Sequence, residues 1–201
     1  MKRTITLMLA IACLSAGSQM FAVETGKPSP DFTGTDDAGK PVTLSDFKGN
    51  YVVLEWLNYG CPFVQKHYNS HNMQNLQKKM VDNGVVWLSI VSSAKGKQGY
   101  MTPEESQEAY KTHGSHATEV ILDPSGEIGR LYSAKTTPHL FLIDPDGVLV
   151  YQGAIDSISS TNPDDIKRAV NYLKKAWEAH KNGEQVEPDS TRAYGCSVKY
   201  G

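Results

Sequence analysis

The chain has 201 residues, enough for one α/β domain with a core of its own and too few for two. Its 20 basic side chains stand against 22 acidic ones, a formal net charge of -2 at pH 7, which excludes the basic field that a nucleic-acid partner requires. A hydrophobic share of 39% excludes a disordered chain, so the sequence describes a folded globular protein.

Met1-Lys2-Arg3 gives a positive start, Ile5 to Leu14 an apolar run, and Ala16 to Ala22 a stretch of mostly small residues. These are the three parts of an export leader, and residues 1–22 are read as a signal peptide cut near Ala22. The apolar run falls short of the roughly 18 residues that span a bilayer, and no later segment reaches that length. No membrane span is expected. Leu9-Ala10-Ile11-Ala12-Cys13 also resembles the site at which bacterial lipoproteins are cleaved and acylated, so a lipid anchor on Cys13 is the alternative. Export places the protein in the periplasm or outside the cell, where thiols are no longer kept reduced by glutathione and thioredoxin. Of the three cysteines, Cys61 and Cys196 remain in the mature chain. The pair is either a structural staple, worth on the order of 5 kcal/mol by loop-closure entropy, or a working redox couple.

Gly26 to Phe32 reads as an extended lead-in, Asp36 to Lys40 as a tight turn before the short run Pro41 to Leu44, and Ser45 to Gly49 as a helical turn or loop. Tyr51 to Leu57 is a nearly continuous apolar run, the pattern of a central strand covered on both faces. Pro62 then suits a first helical position, and Val64, Tyr68, Leu76 and Met80 recur at helical spacing through Asp82, with Asn69-Ser70-His71-Asn72 as a break in the helix. Val85 to Val91 is the next buried strand. Thr102-Pro103-Glu104-Glu105 caps a helix running to about His113, followed by a strand at Glu119 to Leu122 and a short helix at Gly126 to Tyr132. Leu140 to Asp144 and Val148 to Tyr151 flank the hairpin turn Pro145-Asp146-Gly147, so a βαβα series ends in an antiparallel pair. A final amphipathic helix is expected from Pro163 to about His180, with Ile166, Val170, Leu173 and Trp177 on one face. The domain is set at 23–181, and 182–201 at a polar, mobile tail that wraps over the surface and carries Cys196.

Cys61 follows a buried strand by a few residues and begins a helix, where unpaired backbone N–H groups and the positive end of the helix converge. That position favours the thiolate and makes the sulfur reactive near neutral pH. Lys66 and His67, one to two turns along, either add positive charge or face solvent, with solvent the preferred reading.

The lead-in, Leu44-Ser45-Asp46-Phe47-Lys48-Gly49, Val52 to Cys61, and Thr136 to Asp144 with Asp146-Gly147 together resemble the thioredoxin-like superfamily, in its redoxin (AhpC/TSA, peroxiredoxin-like) branch. The resemblance covers most of residues 26–155. It implies an α/β, thioredoxin-like fold, a central mixed β-sheet flanked by helices, with the redox cysteine at the start of the first main helix. Pro138 matches the family's cis-proline loop. There the backbone of the preceding residue, Thr137, pairs with an extended substrate beside the sulfur. Glu55 stands close to the family's buried, proton-relaying acid, and is read either as a buried base of raised pKa or as a solvent-facing carboxylate.

The chain also departs from that pattern. Val64 occupies the second thiol position of C-x-x-C, and Leu54 and Asn58 occupy the proline and threonine positions of the peroxiredoxin motif, with Pro138 about where its arginine belongs. Cys196 is then the other thiol left to resolve a species formed at Cys61; a permanent Cys61–Cys196 bridge, a disulfide to another chain and a free thiol remain open. His67, His71 and His139 could join Cys61 at a soft metal, but Gln65 stands where copper chaperones of the superfamily place their second cysteine, and they are read as packing or solvated residues. No metal or cofactor is expected. The leading reading is an exported thiol-disulfide oxidoreductase with Cys61 as nucleophile, Cys196 and Glu55 as further catalytic residues, and Thr137 and Pro138 positioning a protein or small-molecule thiol or disulfide. The alternatives are a peroxide-reducing antioxidant in which Cys196 condenses with a Cys61 sulfenic acid, and a non-catalytic module that binds a partner or metal.

Overall fold

The computed structural model describes residues 23–201; the leader and the Cys13 lipid reading lie outside the described residues. β1 (Thr33–Asp36) and β2 (Pro41–Thr43) form a hairpin. Its turn is tied by Asp36 Oδ1, which accepts the Ala38 and Lys40 amides at 2.9 and 2.7 Å. A 3-10 turn over Leu44–Phe47 leads to β3 (Val52–Trp56), whose five residues are all buried. There follow α1 (Pro62–Asn69), α2 (Asn72–Val81), β4 (Val86–Val91), α3 (Pro103–Thr112), β5 (Glu119–Leu122) and α4 (Glu127–Leu131). The break in the first helical run falls at Ser70-His71, where His71 takes a left-handed φ of 59°.

β6 (Thr136–Thr137) precedes β7 (His139–Ile143) and β8 (Leu149–Gly153); α5 (Tyr172–Lys181) and β9 (Cys196–Ser197) complete the chain. The main sheet has seven strands in the order β2-β1-β5-β4-β3-β7-β8. β3, β4 and β5 run parallel, and both edges are antiparallel: β7 and β8 on one side, β1 and β2 on the other. Only the first of these pairs is legible as a hairpin in the sequence.

Strand alternation divides the core in two. Val53, Leu57, Leu140 and Leu142 face α1, α2 and α5, packing with Val64, Tyr68, Met73, Leu173 and Trp177. Leu54, Trp56, Leu88, Ile90 and Phe141 face the other way, against Phe32, Ile128 and Tyr132. Cys61 belongs to the first of these layers, at its upper end, where β3 hands over to α1.

The helix expected over 163–180 is two pieces. A 3-10 helix spans Pro163–Lys167, and α5 starts afresh at Tyr172 because Asn171 caps it, its Oδ1 accepting the Lys174 amide at 2.8 Å. Asp156 and Asn171 bridge as antiparallel partners, which fixes the chain in extended form just before that cap. Val170, placed on the apolar face by the sequence, is 50% exposed as a result.

Candidate active site at the start of the Cys61 helix

Cys61 is the N-cap of α1, with extended backbone (φ -84°, ψ 124°) and Pro62 in the first helical position. The turn before it is made by Asn58. The Asn58 side-chain oxygen accepts the Gly60 amide at 2.9 Å and its backbone oxygen accepts the Cys61 amide at 3.0 Å. This turn aims the Cys61 side chain back over the helix mouth, where the Val64 amide points at the sulfur.

The second wall of the site is the loop at Pro138, whose peptide bond with Thr137 is cis. The Cys61 thiol donates to the Thr137 carbonyl at 3.1 Å. Facing that loop lies the tail. Thr136 and Thr137 pair antiparallel with Ser197 and Cys196, and the Cys196 amide donates to Cys61 Sγ at 3.4 Å. Cys61 and Cys196 are both free thiols. Four of the five residues singled out in the sequence therefore meet at one point, and the tail is a defined strand rather than the mobile wrap expected of it.

Gly195 makes this approach possible. Its φ is 142°, and a Cβ there would overlap the Thr137 carbonyl. Before reaching the site, the tail runs beside β8. The Thr191 amide donates to Gln152 O at 3.0 Å, and Thr191 Oγ1 accepts the Ala154 amide at 2.9 Å. Beyond the site Val198 N donates to Lys135 O at 3.1 Å, and the Arg130 guanidinium lies 4.7 Å from the centre of the Tyr200 ring. The tail is thus a strap crossing the carboxyl ends of the central strands. Under it Cys61 is 0% exposed, while Cys196 is partly accessible.

Burial alone would raise the Cys61 pKa, but hydrogen bonds from the Cys196 thiol and from the Val64 and Cys196 amides, with a smaller share from Thr137, outweigh it and hold the thiol below its ordinary value. Cys196 moves the opposite way. Burial, its hydrogen bond to Cys61 and the Cys61 charge push it up to about 11, against a small opposing pull from Lys199. The shifts are opposite: Cys61, whose proton rests on the Thr137 carbonyl, gives it up more readily than an ordinary thiol, and Cys196 holds its own more tightly.

Glu55 is buried, at 0% exposure, which rules out the solvent-facing reading of this residue. Its carboxylate accepts from Trp87 Nε1 (2.8 Å), Tyr68 Oη (3.0 Å), Gln77 Nε2 (3.1 Å) and Ser89 Oγ (3.1 Å). Burial raises its pKa, and these four donors counter the rise. Among the described residues its hydrogen-bond partners are these four, so none of its hydrogen bonds reaches the Cys61 sulfur.

Lys66 and His67 are buried, contrary to the solvent-facing reading. Lys66 Nζ meets Asp156 Oδ2 at 3.1 Å and Ile158 O at 2.9 Å, and His67 Nε2 lies 3.8 Å from Asp156 Oδ2. Burial, aided by Lys66 and opposed by Asp156, lowers the His67 pKa to about 4, so the ring is neutral and adds no charge to the helix. Asp156 and Tyr194, which bond to each other, carry no signal of this role in the sequence, whereas Gly195 beside Cys196 was a readable hint of close backbone approach. His71 is exposed and His139 is packed on Phe141, 4.4 Å between ring centres. Among the described residues no group of three or more His, Cys, Asp and Glu is arranged to hold a metal.

Residues 25–152 match the AhpC/TSA family. The chain belongs to that family. It is similar to the thiol-disulfide oxidoreductase ResA of Bacillus thuringiensis subsp. konkukian, 27% identical over 157 residues that make up 73% of this chain and 83% of the relative. Among solved structures, an uncharacterized conserved protein from Geobacillus kaustophilus superposes with a TM-score of 0.75 at 25% identity, covering 89% of this chain and 93% of that one. The thioredoxin domain of a thiol-disulfide oxidoreductase from Bacteroides vulgatus does so with a TM-score of 0.52 at 23% identity, over 73% of this chain and 98% of the other. The fold is thioredoxin-like: a mixed seven-stranded sheet flanked by helices. In this AhpC/TSA chain Val64, at the second position of C-x-x-C, is a core residue turned away from solvent. The cysteine beside Cys61 is Cys196 of the strap, beyond the end of the AhpC/TSA match at 152. No helix among the described residues is long and apolar enough to cross a membrane.

Proposed function

We propose that the chain is a thiol-disulfide oxidoreductase in which Cys61 attacks and Cys196, delivered by the strap, completes the exchange. The observation that carries this reading is the double engagement of one sulfur: Cys61 donates to the Thr137 carbonyl and accepts the Cys196 amide, with the second thiol beside it. The name borne by the ResA relatives supports the same chemistry.

The Cys61 thiolate attacks one sulfur of a partner disulfide, and the partner's other sulfur leaves as a thiolate that takes up a proton. Conversion of Cys61 to a mixed disulfide removes its negative charge and with it the part of the Cys196 shift that the Cys61 charge contributes, burial being the larger part. Cys196 loses that proton and attacks Cys61 Sγ, and the partner's first sulfur leaves as a thiol. The partner has gained two electrons and two protons, and the protein holds a Cys61–Cys196 disulfide. An external dithiol runs the sequence backwards. Thr137 and Pro138 shape the wall against which the partner lies, and Glu55 ties β3 to α1, α2 and β4 through its four donors. Export by residues 1–22 belongs to the same proposal, since it sets the exchange where disulfides persist.

The test is to mix reduced protein with a chromogenic aromatic disulfide. The reading expects two thiolate equivalents released per chain and a Cys61–Cys196 disulfide found by peptide mass spectrometry. Release traced to Cys196 with Cys61 unmodified would refute it. So would oxidation of Cys61 by peroxide accompanied by inertness to disulfides, which would favour the antioxidant.

A further inference from the structure

Asp156 and Lys66 form an ion pair whose side chains are 4% and 0% exposed. A pair taken out of water is sustained only when its remaining lone pairs and protons are satisfied. Lys66 has the Ile158 carbonyl as a second acceptor, and Asp156 Oδ1 accepts the Ile158 amide at 3.0 Å. The remaining donor to Asp156 comes from the strap: the Tyr194 hydroxyl bonds to Oδ1, and lies 3.5 Å from His67 Nε2. The Tyr194 ring packs edge-on against Phe63, with centroids 5.7 Å apart, and Lys66 Nζ lies 5.7 Å from its centre. Phe63, Lys66 and His67 all belong to α1, the helix that begins at Cys61.

A single glycine separates Tyr194 from Cys196. Two residues of extended chain reach about 7 Å, so a fixed Tyr194 leaves Cys196 little room to leave the Cys61 sulfur. The two-residue pairing of β6 with β9 is by itself a slight hold, whereas a phenol donating to a buried carboxylate is a charge-assisted bond in a dry setting. Burial and the bond to Asp156 keep the phenol well above its ordinary pKa, so it remains a donor at every working pH.

We propose that Tyr194 is a positioning residue for the exchange: through Asp156 and Lys66 it latches the strap to the Cys61 helix, holding Cys196 on Cys61 and setting how often the strap lifts to admit a partner. The proposal rests on the exchange reading above. It gives the two steps opposite dependence on one hydroxyl. Attack by Cys61 requires the strap to lift, and closure by Cys196 requires it to return.

Tyr194→Phe keeps the ring on Phe63 and removes only the hydroxyl. In the full chain, Cys61 alkylation followed by peptide mass spectrometry should be about tenfold faster or more, since a bond to a charged group is lost from the closed state alone. Attack on the aromatic disulfide, read as the first thiolate released, should quicken likewise. Closure, read as the second, should slow by a similar factor. The thermal unfolding midpoint of the core, followed by far-ultraviolet circular dichroism, should stay within a degree or two, which separates a latch from general weakening. Rates of alkylation and closure within threefold of wild type would overturn the latch, as would changes of both steps in one direction. If wild type itself formed no Cys61–Cys196 disulfide, the exchange reading would fall instead.

Discussion

Thr137 and Cys196 are antiparallel partners, and the Cys61 sulfur lies between them, donating to the carbonyl of the first and accepting the amide of the second. The strap therefore occupies the ground where an extended partner would lie beside the cis-proline loop. In the exchange proposed above, reaction at Cys61 would begin with displacement of the chain's own strand.

The proposed exchange divides the labour between the two thiols, and single replacements should separate them. Cys61→Ser is expected to abolish exchange with disulfides. Cys196→Ser should release the first thiolate and then stall as a mixed disulfide at Cys61, with release of the second slowed on the order of 10²-fold or more, because an intramolecular thiol is replaced by a dilute external one. Time-resolved mass spectrometry of the intact chain checks both outcomes.

The pH dependence follows from the opposite shifts of the two sulfurs. A lowered pKa means that Cys61 is already thiolate at pH values where an ordinary thiol, titrating near about 8.5, is protonated. Its alkylation rate should thus reach half its plateau below that value as pH rises, while Cys196 should do so only toward about 11. Cys196→Ala, which deletes the side-chain donor to Cys61, should shift the Cys61 midpoint upward. Iodoacetamide labelling resolved by peptide gives both curves.

Gly195→Ala is expected to unseat the strap without disturbing the core. The new Cβ would overlap the Thr137 carbonyl, and φ of 142° is unfavourable for any side chain. A cost of about 1–3 kcal/mol in the docked state corresponds to roughly 10- to 100-fold more frequent exposure of Cys61. Alkylation of Cys61 should accelerate accordingly, with the denaturant midpoint of the core unchanged.

Glu55→Gln retains the volume but turns an amide donor toward groups that are themselves donors. Loss of a buried acceptor should lower stability by about 1–3 kcal/mol in chemical denaturation. The Cys61 alkylation midpoint is expected to stay where it is, since Glu55 bonds to Tyr68, Gln77, Trp87 and Ser89. A moved midpoint would give the carboxylate a direct hold on the thiol.

The central strands and Cys61 at the head of α1 were legible because they depend on local pattern: a continuous apolar run, a proline one residue after the cysteine, helical spacing beyond it. The β1–β2 edge was not, since strands of four and three residues carry too little alternation to announce their pairing. Lys66 and His67 look like surface residues until Asp156, some ninety positions later, arrives to pair with them. The break before α5 turns on Asn171 as a cap within an otherwise helical pattern. The strap is the largest such case. Its polar sequence reads as surface wrap, and its docking depends on Gly195 meeting Thr137 and Tyr194 meeting Asp156, contacts across long stretches of chain that composition does not encode.

Rapid-quench mass spectrometry of the reduced protein mixed with a disulfide reports which sulfur carries the first adduct. A partner bound at Cys61 is expected within the earliest time points, replaced by an intramolecular Cys61–Cys196 disulfide. A first adduct at Cys196, or an adduct at Cys61 that persists while Cys196 stays reduced, would contradict the proposed exchange.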